Sequence, residues 1–420
     1  MQFGDLRGIL NYVPQFRGET FVLAAEGEVI ASGQQRTLLQ DIAVMHSLNM
    51  RVILVHGVGK QLLDAAANAG IEISNHDGTG RTDAATLDLG VQTISRLNLE
   101  LLHRLRAVGL KGVSGSFVEA NAAGVLGGKE LEHTGRVSHI DQPLLESLLA
   151  NDLIPLVSPL ARDAKGRMYR MNSDQIAAQI AIAVGACKLI FLGSRPVAEM
   201  LQTDQREFTV DGALAHAEGL DHLNKARMKE GAKACRNGVP RVHFLNGVDD
   251  SALLRELFDN DGVGAMIYAD VYRKIRPMEK SDVTVLISMM RDSIDDEAVL
   301  NRSTETVLND LERFSVLVVD GNLVGAAALY PDEPSGSAEI ASLFVQSGQR
   351  KKGYGARLIE HLEDRARELG CQKVYALTTQ AAGFFSRDPY QQGSLDDIPK
   401  ARQEKAKASG RNSYVFYRNL

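Results

Sequence analysis

Tryptophan is absent from the 420 residues, and phenylalanine and tyrosine bring the aromatic share to only 5%. A surface that stacks bases needs such rings, so single-stranded nucleic acid is a poor candidate partner. An excess of positive charge is also missing. Lysine plus arginine is 47 against 53 for aspartate plus glutamate, a formal net charge of −6, which gives no electrostatic reason to expect nucleic acid or an anionic membrane. No stretch reaches the ~18 consecutive apolar residues that would span a bilayer. Met1 to Arg17 lacks the basic start and apolar run of a secretory leader and reads as a short helix followed by Pro14. Cysteine is scarce: Cys187, Cys235 and Cys371 are far apart and show no metal-ligand spacing. That usage fits a reducing cytoplasm rather than a disulfide framework, and no metal is expected. What is present is ordinary for a globular chain: 44% hydrophobic and 24% charged residues, enough for a sizeable core and, by length, two large domains.

From Thr20 to about Met266 short apolar runs alternate with longer amphipathic stretches. Phe21–Ala24, Val52–Val55, Leu153–Val157, Leu189–Leu192 and Val242–Leu245 read as strands. Leu38–Leu48, Lys60–Asn68, Asp174–Val184 and Ser251–Phe258 read as helices. Alternation of this kind implies parallel strands joined by crossover helices. After Met266 the order changes. Helices are expected first, at Lys280–Arg291 and Thr304–Glu312, then strands at Ser315–Val319, Leu323–Leu329 and Ala338–Val345 and a helical run over Gln349–Leu358. That succession reads as an α+β domain. The polar stretch Gln391–Arg411 reads as a loop or exposed helix. The expected division is an N-terminal helix over 1–18, a domain over 19–269, a linker over 270–274 and a second domain over 275–420.

One string carries chemistry. A strand ending at Leu343-Phe344-Val345 is followed by Arg350-Lys351-Lys352-Gly353-Tyr354-Gly355 at the start of an amphipathic helix. Backbone N–H groups at a helix start lack intrahelical partners and can cradle a pyrophosphate. Glycines let phosphates approach the backbone, and the three cations add positive charge at the mouth. The R-x-x-G-x-G pattern after a long hydrophobic strand resembles the acetyl-CoA loop of the GNAT N-acetyltransferase superfamily. Glu339–Val345 resembles its splayed central strand and Val374–Thr379 its next strand.

The first half has its own resemblance. Val55-His56-Gly57-Val58-Gly59, Gly80-Arg81-Thr82-Asp83, Asn172-Ser173-Asp174 and Glu256 to Gly264 occur in the order seen in amino-acid kinases, most like N-acetylglutamate kinases. A kinase-like domain ahead of a GNAT domain is the architecture of the N-acetylglutamate synthase family. The resemblance implies an α/β chain: an amino-acid-kinase-like three-layer sandwich with a mainly parallel open sheet, then an α+β GNAT domain. It implies acetyl transfer from acetyl-CoA to the α-amine of L-glutamate, the first step of arginine biosynthesis. A cytoplasmic, ring-like homohexamer and no metal are also implied.

Site residues follow from the same resemblance. Leu300 and Arg302, and Arg411 with Ser413, resemble the ligands of the dicarboxylate substrate. Glu339 resembles the proposed general base, backbone N–H groups over Leu343–Val345 would polarise the thioester oxygen, and Tyr390 is the nearest candidate acid for the leaving thiolate. Tyr12, His243, Glu256 and Gly262 resemble positions that hold an allosteric L-arginine, an expected inhibitor. The chain departs from the family at Gln380, where an arginine is usual, and at Gly383, where a histidine is usual. The kinase half lacks its expected cations. Leu23-Ala24-Ala25-Glu26-Gly27-Glu28 has no lysine, and Glu230 stands where a second lysine is expected. Its fold is therefore expected without its chemistry. A bifunctional synthase–kinase and an arginine-sensing protein with little catalysis are the competing readings.

Overall fold

The structure is a computed structural model. It describes residues 14, 16–33, 35–126, 128–258, 262–269, 273–291, 304–319, 322–346, 353–379, 382–386, 389–408 and 413–420. The chain divides into two compact units, 1–270 and 271–420.

The first unit is built on strands β1 (Thr20–Ala25), β2 (Arg51–His56), β3 (Gly112–Ser114), β4 (Ile154–Val157), β5 (Lys188–Gly193), β6 (Glu207–Thr209), β7 (Arg241–Asn246) and β8 (Ala265–Tyr268). They form one sheet in the order β6-β8-β7-β5-β1-β2-β4-β3. Only β7 and β8 pair antiparallel among them; the other neighbours run parallel. Near-continuous burial along β1, β2 and β5 explains why these segments read as unbroken apolar runs: both faces of a parallel sheet are covered. On one face lie α1 (Gln35–Ser47) and α3 (Ala84–Ala107), which with Phe21, Leu23 and Leu54 make one core. On the other lie α4 (Ser173–Ala183) and α5 (His222–Arg236), with Val22, Ile53 and Phe191. Helix α2 (Gly59–Ala69) starts just after β2, and α6 (Ala252–Phe258) just after β7. A smaller four-stranded sheet, from Val118–Ala122, Gly135–Ile140, Leu160–Arg162 and Met168–Arg170, flanks α4.

The second unit is a seven-stranded sheet of β9 (Arg273–Pro277), β10 (Phe314–Val319), β11 (Asn322–Asp332), β12 (Ser337–Val345), β13 (Lys373–Thr378), β14 (Gln391–Gly393) and β15 (Tyr414–Asn419). Its order is β9-β10-β11-β12-β13-β15-β14. Only β12 and β13 pair parallel. Helix α7 (Lys280–Arg291) covers one face through Val283, Leu286, Ile287 and Met290; α8 (Thr304–Asn309) adds Val307. Helix α9 (Tyr354–Glu368) covers the other through Leu358, Ile359, Leu362 and Ala366. Fully burying one such leucine contributes about 1.5–3 kcal/mol.

Two expectations change here. A strand, β9, precedes α7. It is short, ends in a proline and lies at the sheet edge, where proline is tolerated, so periodicity did not reveal it. The stretch from Gln391, read as a loop or exposed helix, holds helix α11 (Lys400–Ala408) and also an unexpected edge strand, β14; α11 follows the four-residue helix α10 (Ala382–Phe385).

Candidate active site

Strands β12 and β13 pair only over Ser337–Glu339 and Lys373–Tyr375. Beyond that point β13 continues its ladder with β15 to Thr378, and among the described residues no ladder joins it to β12. The two parallel strands therefore part at Glu339. On its other side β12 pairs with β11 to Val345, with a register shift opposite Ala326–Ala328. Ser342 lies at the shift with φ of +54°, a left-handed conformation that a non-glycine residue adopts only when its surroundings impose it. The irregularity turns backbone groups of β12 out of the regular ladder beside the opening. Phe344 packs on the α7 side of the sheet, while Leu343 and Val345 pack on the α9 side.

Pairing across the sheet puts Tyr330, Glu339, Tyr375 and Tyr417 in one row on one face. Glu339 is mostly buried and meets Arg402 of α11 in a two-pronged contact. Arg402 Nε donates to Oε2 at 2.7 Å and Nη2 to Oε1 at 2.9 Å. This hydrogen bond, and the charge behind it, raises the guanidinium further above its ordinary value. Tyr375, next in the row, is pushed up by burial and then by Glu339. Tyr330 donates its hydroxyl to Asp310 at 2.8 Å.

The helix after the strand opens as the glycine pattern predicts, but the two glycines differ. Gly353 caps α9 with φ of +78° and has open space where a Cβ would stand. Gly355 lies under Phe384 of α10, whose ring would be 3.3 Å from an added Cβ. An added Cβ there would press on that ring, so the bare position also accommodates Phe384. Tyr354 is buried in the core on the α9 side, so only its backbone is placed at the helix start. Arg350, Lys351 and Lys352 lie outside the described residues, as do Leu300, Arg302, Arg411 and Gln380. Ser413 immediately precedes β15, whose Tyr414 pairs with Thr378 at the end of β13. Gly383 leaves open space on α10 where the family's histidine would be.

Tyr390 needs correction as the acid. Its hydroxyl donates to Glu363 Oε1 at 2.7 Å, and Arg418 pairs with the other oxygen of that carboxylate. Burial and then the Glu363 hydrogen bond push the phenol up. Its ring packs on Phe385. The proton is committed to a buried carboxylate within α9, on the opposite side of the sheet from Glu339.

In the first unit, a cleft of about 220 Å³ opens between the turns after β1 and β2 and the start of α4. The two lysine positions lack lysine as read, but Arg227 of α5 supplies a cation to the cleft. It is 4% exposed and lies between Glu26, at 2.6 Å, and Asp174, at 2.8 Å. Ser194 also donates its N–H and hydroxyl to Glu26. Burial raises Glu26, but Arg227 and Ser194 outweigh it and hold the carboxylate below its usual range. Glu26 is thus neutralised locally.

His243 and Glu256 are both buried and adjacent, with Nδ1 and Oε1 2.7 Å apart. The other Glu256 oxygen accepts from the N–H groups of Val263 and Gly264. Burial pushes this carboxyl up, but His243 and the two N–H groups hold it at about 2. Burial and Lys188 push His243 down, which favours a neutral ring donating through Nδ1–H; its Nε2 is buried without a partner. Gly262 has φ of +53°, and an added Cβ would stand 3.0 Å from Glu256 Oε2. His243, Glu256 and Gly262 therefore converge on one spot, with the Lys188 ammonium over the Phe16 ring nearby. Tyr12 lies outside the described residues.

A mostly parallel α/β unit followed by a sheet with parted parallel strands defines a class: an acetyltransferase carrying a kinase-like unit. The Amino acid kinase family matches residues 19–246 and the Acetyltransferase (GNAT) family residues 283–393. Amino-acid acetyltransferase of Shewanella oneidensis is 32% identical over 94% of this chain and 92% of its own length. That of Pseudomonas putida is 31% identical over 99% and 98%. Among solved structures, N-acetylglutamate synthase of Neisseria gonorrhoeae complexed with coenzyme A and L-arginine is 28% identical, with a TM-score of 0.88 and full coverage of both chains. The same enzyme with coenzyme A and N-acetyl-glutamate is 29% identical at TM-score 0.65, again over both chains. The chain belongs to the amino-acid acetyltransferase family.

Proposed function

We infer that the chain transfers acetyl from acetyl-CoA to the α-amine of L-glutamate, giving N-acetyl-L-glutamate and CoA. The observation that carries this reading is the parting of β12 from β13 beside Glu339, within a chain matched end to end by N-acetylglutamate synthase. The opening offers backbone polar groups to a pantetheine arm, and the start of α9 at Gly353 offers N–H groups to a pyrophosphate. Glutamate arrives mostly as an ammonium at neutral pH. Glu339 accepts one of its protons, directly or through water. The freed lone pair attacks the thioester carbon, while N–H groups along Leu343–Val345 favour charge on its oxygen. The carbon–sulfur bond breaks, and the departing thiolate takes the second amine proton. Leu300, Arg302, Arg411 and Ser413 hold the two carboxylates of the substrate.

Thiol release from acetyl-CoA, measured with and without glutamate, tests the reading; release that ignores glutamate overturns it. Gly353→Glu sets a side chain and a negative charge at the helix start and should abolish acetyl-CoA binding by calorimetry. Unchanged affinity would remove that loop from the cofactor site.

The first unit is a regulatory domain that binds L-arginine at His243, Glu256 and Gly262, with Tyr12 closing the pocket. Support comes from the buried, partly unpartnered imidazole beside an ionised carboxylate. Arginine should raise the melting temperature and lower activity, and Glu256→Ala should lose both responses. An arginine-insensitive chain at millimolar concentration would leave this domain a scaffold. Phosphoryl transfer is not expected, since both lysines are missing and Arg227 is locked to Glu26 and Asp174. The domain layout 1–18, 19–269, 270–274 and 275–420 and a cytoplasmic homohexamer belong to the same reading; light scattering checks the subunit number.

A further inference from the structure

We propose that Arg402 is a positioning residue for acetyl transfer: its guanidinium holds the Glu339 carboxylate in one orientation at the point where β12 and β13 part. The inference rests on the reading of Glu339 as base. Arg402 comes from α11, in the stretch whose sequence suggested only a solvated loop or exposed helix, and from there it reaches a strand 63 residues earlier.

The geometry is specific. Nε takes one carboxylate oxygen and Nη2 the other, at 2.7 and 2.9 Å. Such a fork fixes the plane of the carboxylate as well as its distance, which a single contact from an ammonium cannot do. A carboxylate has about four lone-pair sites. The fork takes two, so each oxygen keeps a site for an ammonium or a relaying water. Among the described residues, the partners around Glu339 offer no substitute cation. Tyr330 on β11 gives its hydroxyl to Asp310, Tyr375 on β13 is a neutral phenol pushed up by burial, and Lys373 donates to the Asp397 carbonyl over the Tyr417 ring. The pair is also not sealed in the core, with side chains 29% and 13% exposed. A contact at this depth, aimed at the opening rather than at packing, orients more than it stabilises.

The test uses the full chain with acetyl-CoA and glutamate. Arg402→Ala should lower kcat about ten- to a hundredfold, the range seen when a partner that orients a functional side chain is removed. KM for both substrates should stay within about threefold. Arg402→Lys should recover part of the loss, because charge returns without the fork. Methylguanidinium added to Arg402→Ala should recover activity further, since it restores the fork without the covalent tie between α11 and β12. A purely structural tether would not respond to it. Wild-type kcat in Arg402→Ala, or a loss that neither lysine nor methylguanidinium relieves, overturns the proposal. Glu339→Gln separates this from the reading beneath it. Full activity there removes Glu339 as base whatever Arg402 does, whereas an inactive Glu339→Gln beside an undisturbed Arg402→Ala removes only the positioning role.

Discussion

Each unit contains an arginine that reaches across the fold to a carboxylate, and the two are used in opposite ways. Arg227 is buried between Glu26 and Asp174, in the cleft between the turns after β1 and β2 and the start of α4. Arg402 meets a single carboxylate, stays partly accessible, and lies at an opening between strands. A buried cation shared between two carboxylates has little left to offer a ligand. The same chemistry, half open and next to parted strands, holds a reactive group ready. Depth and the number of partners, more than residue type, separate these two charge groups.

The largest effect that could break this contrast is on stability. Arg227→Ala strands two buried carboxylates and should cost about 3–5 kcal/mol, the range for breaking a buried pair, read as a lower denaturant midpoint. Arg402→Ala should cost only about 1 kcal/mol while damaging kcat. Similar midpoints for both variants would erase the distinction.

Next in size come Arg302 and Arg411, which belong to the working site by resemblance. Removing either guanidinium should cost roughly 1.5–3 kcal/mol, or about ten- to a hundredfold in kcat/KM for glutamate. This loss should appear in KM for glutamate, unlike the kcat loss of Arg402→Ala. Equal damage to acetyl-CoA kinetics would mark these arginines as structural.

The smallest effect concerns pH. Glu256 holds its proton-free form down to about pH 2 in the fold, whereas the unfolded carboxyl titrates near 4.5. Its folded value is depressed, so its stabilisation is complete above about pH 4.5 and is lost as pH falls towards 2. Glu256→Gln should flatten that part of the midpoint-against-pH curve. An unchanged curve would mean that His243 and the Val263 and Gly264 N–H groups do not hold the charge.

Much of this architecture was legible in the residues. The parallel strands announced themselves because burial on both faces demands continuous apolar runs, and the R-x-x-G-x-G string marked the start of α9 because glycine and helix geometry act within a few residues. The edge strand β9 was not legible, and the stretch carrying Arg402 was legible only as a loop or exposed helix. Neither has a strong periodicity, and each is defined by what it packs against. Gly355 shows the same limit: its place in the motif gave no sign of Phe384, 29 positions away, whose ring lies against it.

Composition and local pattern by themselves determined the α/β organisation and the helix start at Gly353 and Tyr354, while the absence of two lysines from the kinase half is read from the resemblance. Those properties depend on burial periodicity, backbone conformation and residue identity, all short-range in the chain. Tertiary structure alone decided the partners of the charges. Arg227 between Glu26 and Asp174, Arg402 on Glu339, and Tyr390 turned to Glu363 join segments 27 to 201 positions apart. Coulomb and hydrogen-bond energies depend on distance and burial in space, and no sequence spacing encodes those separations.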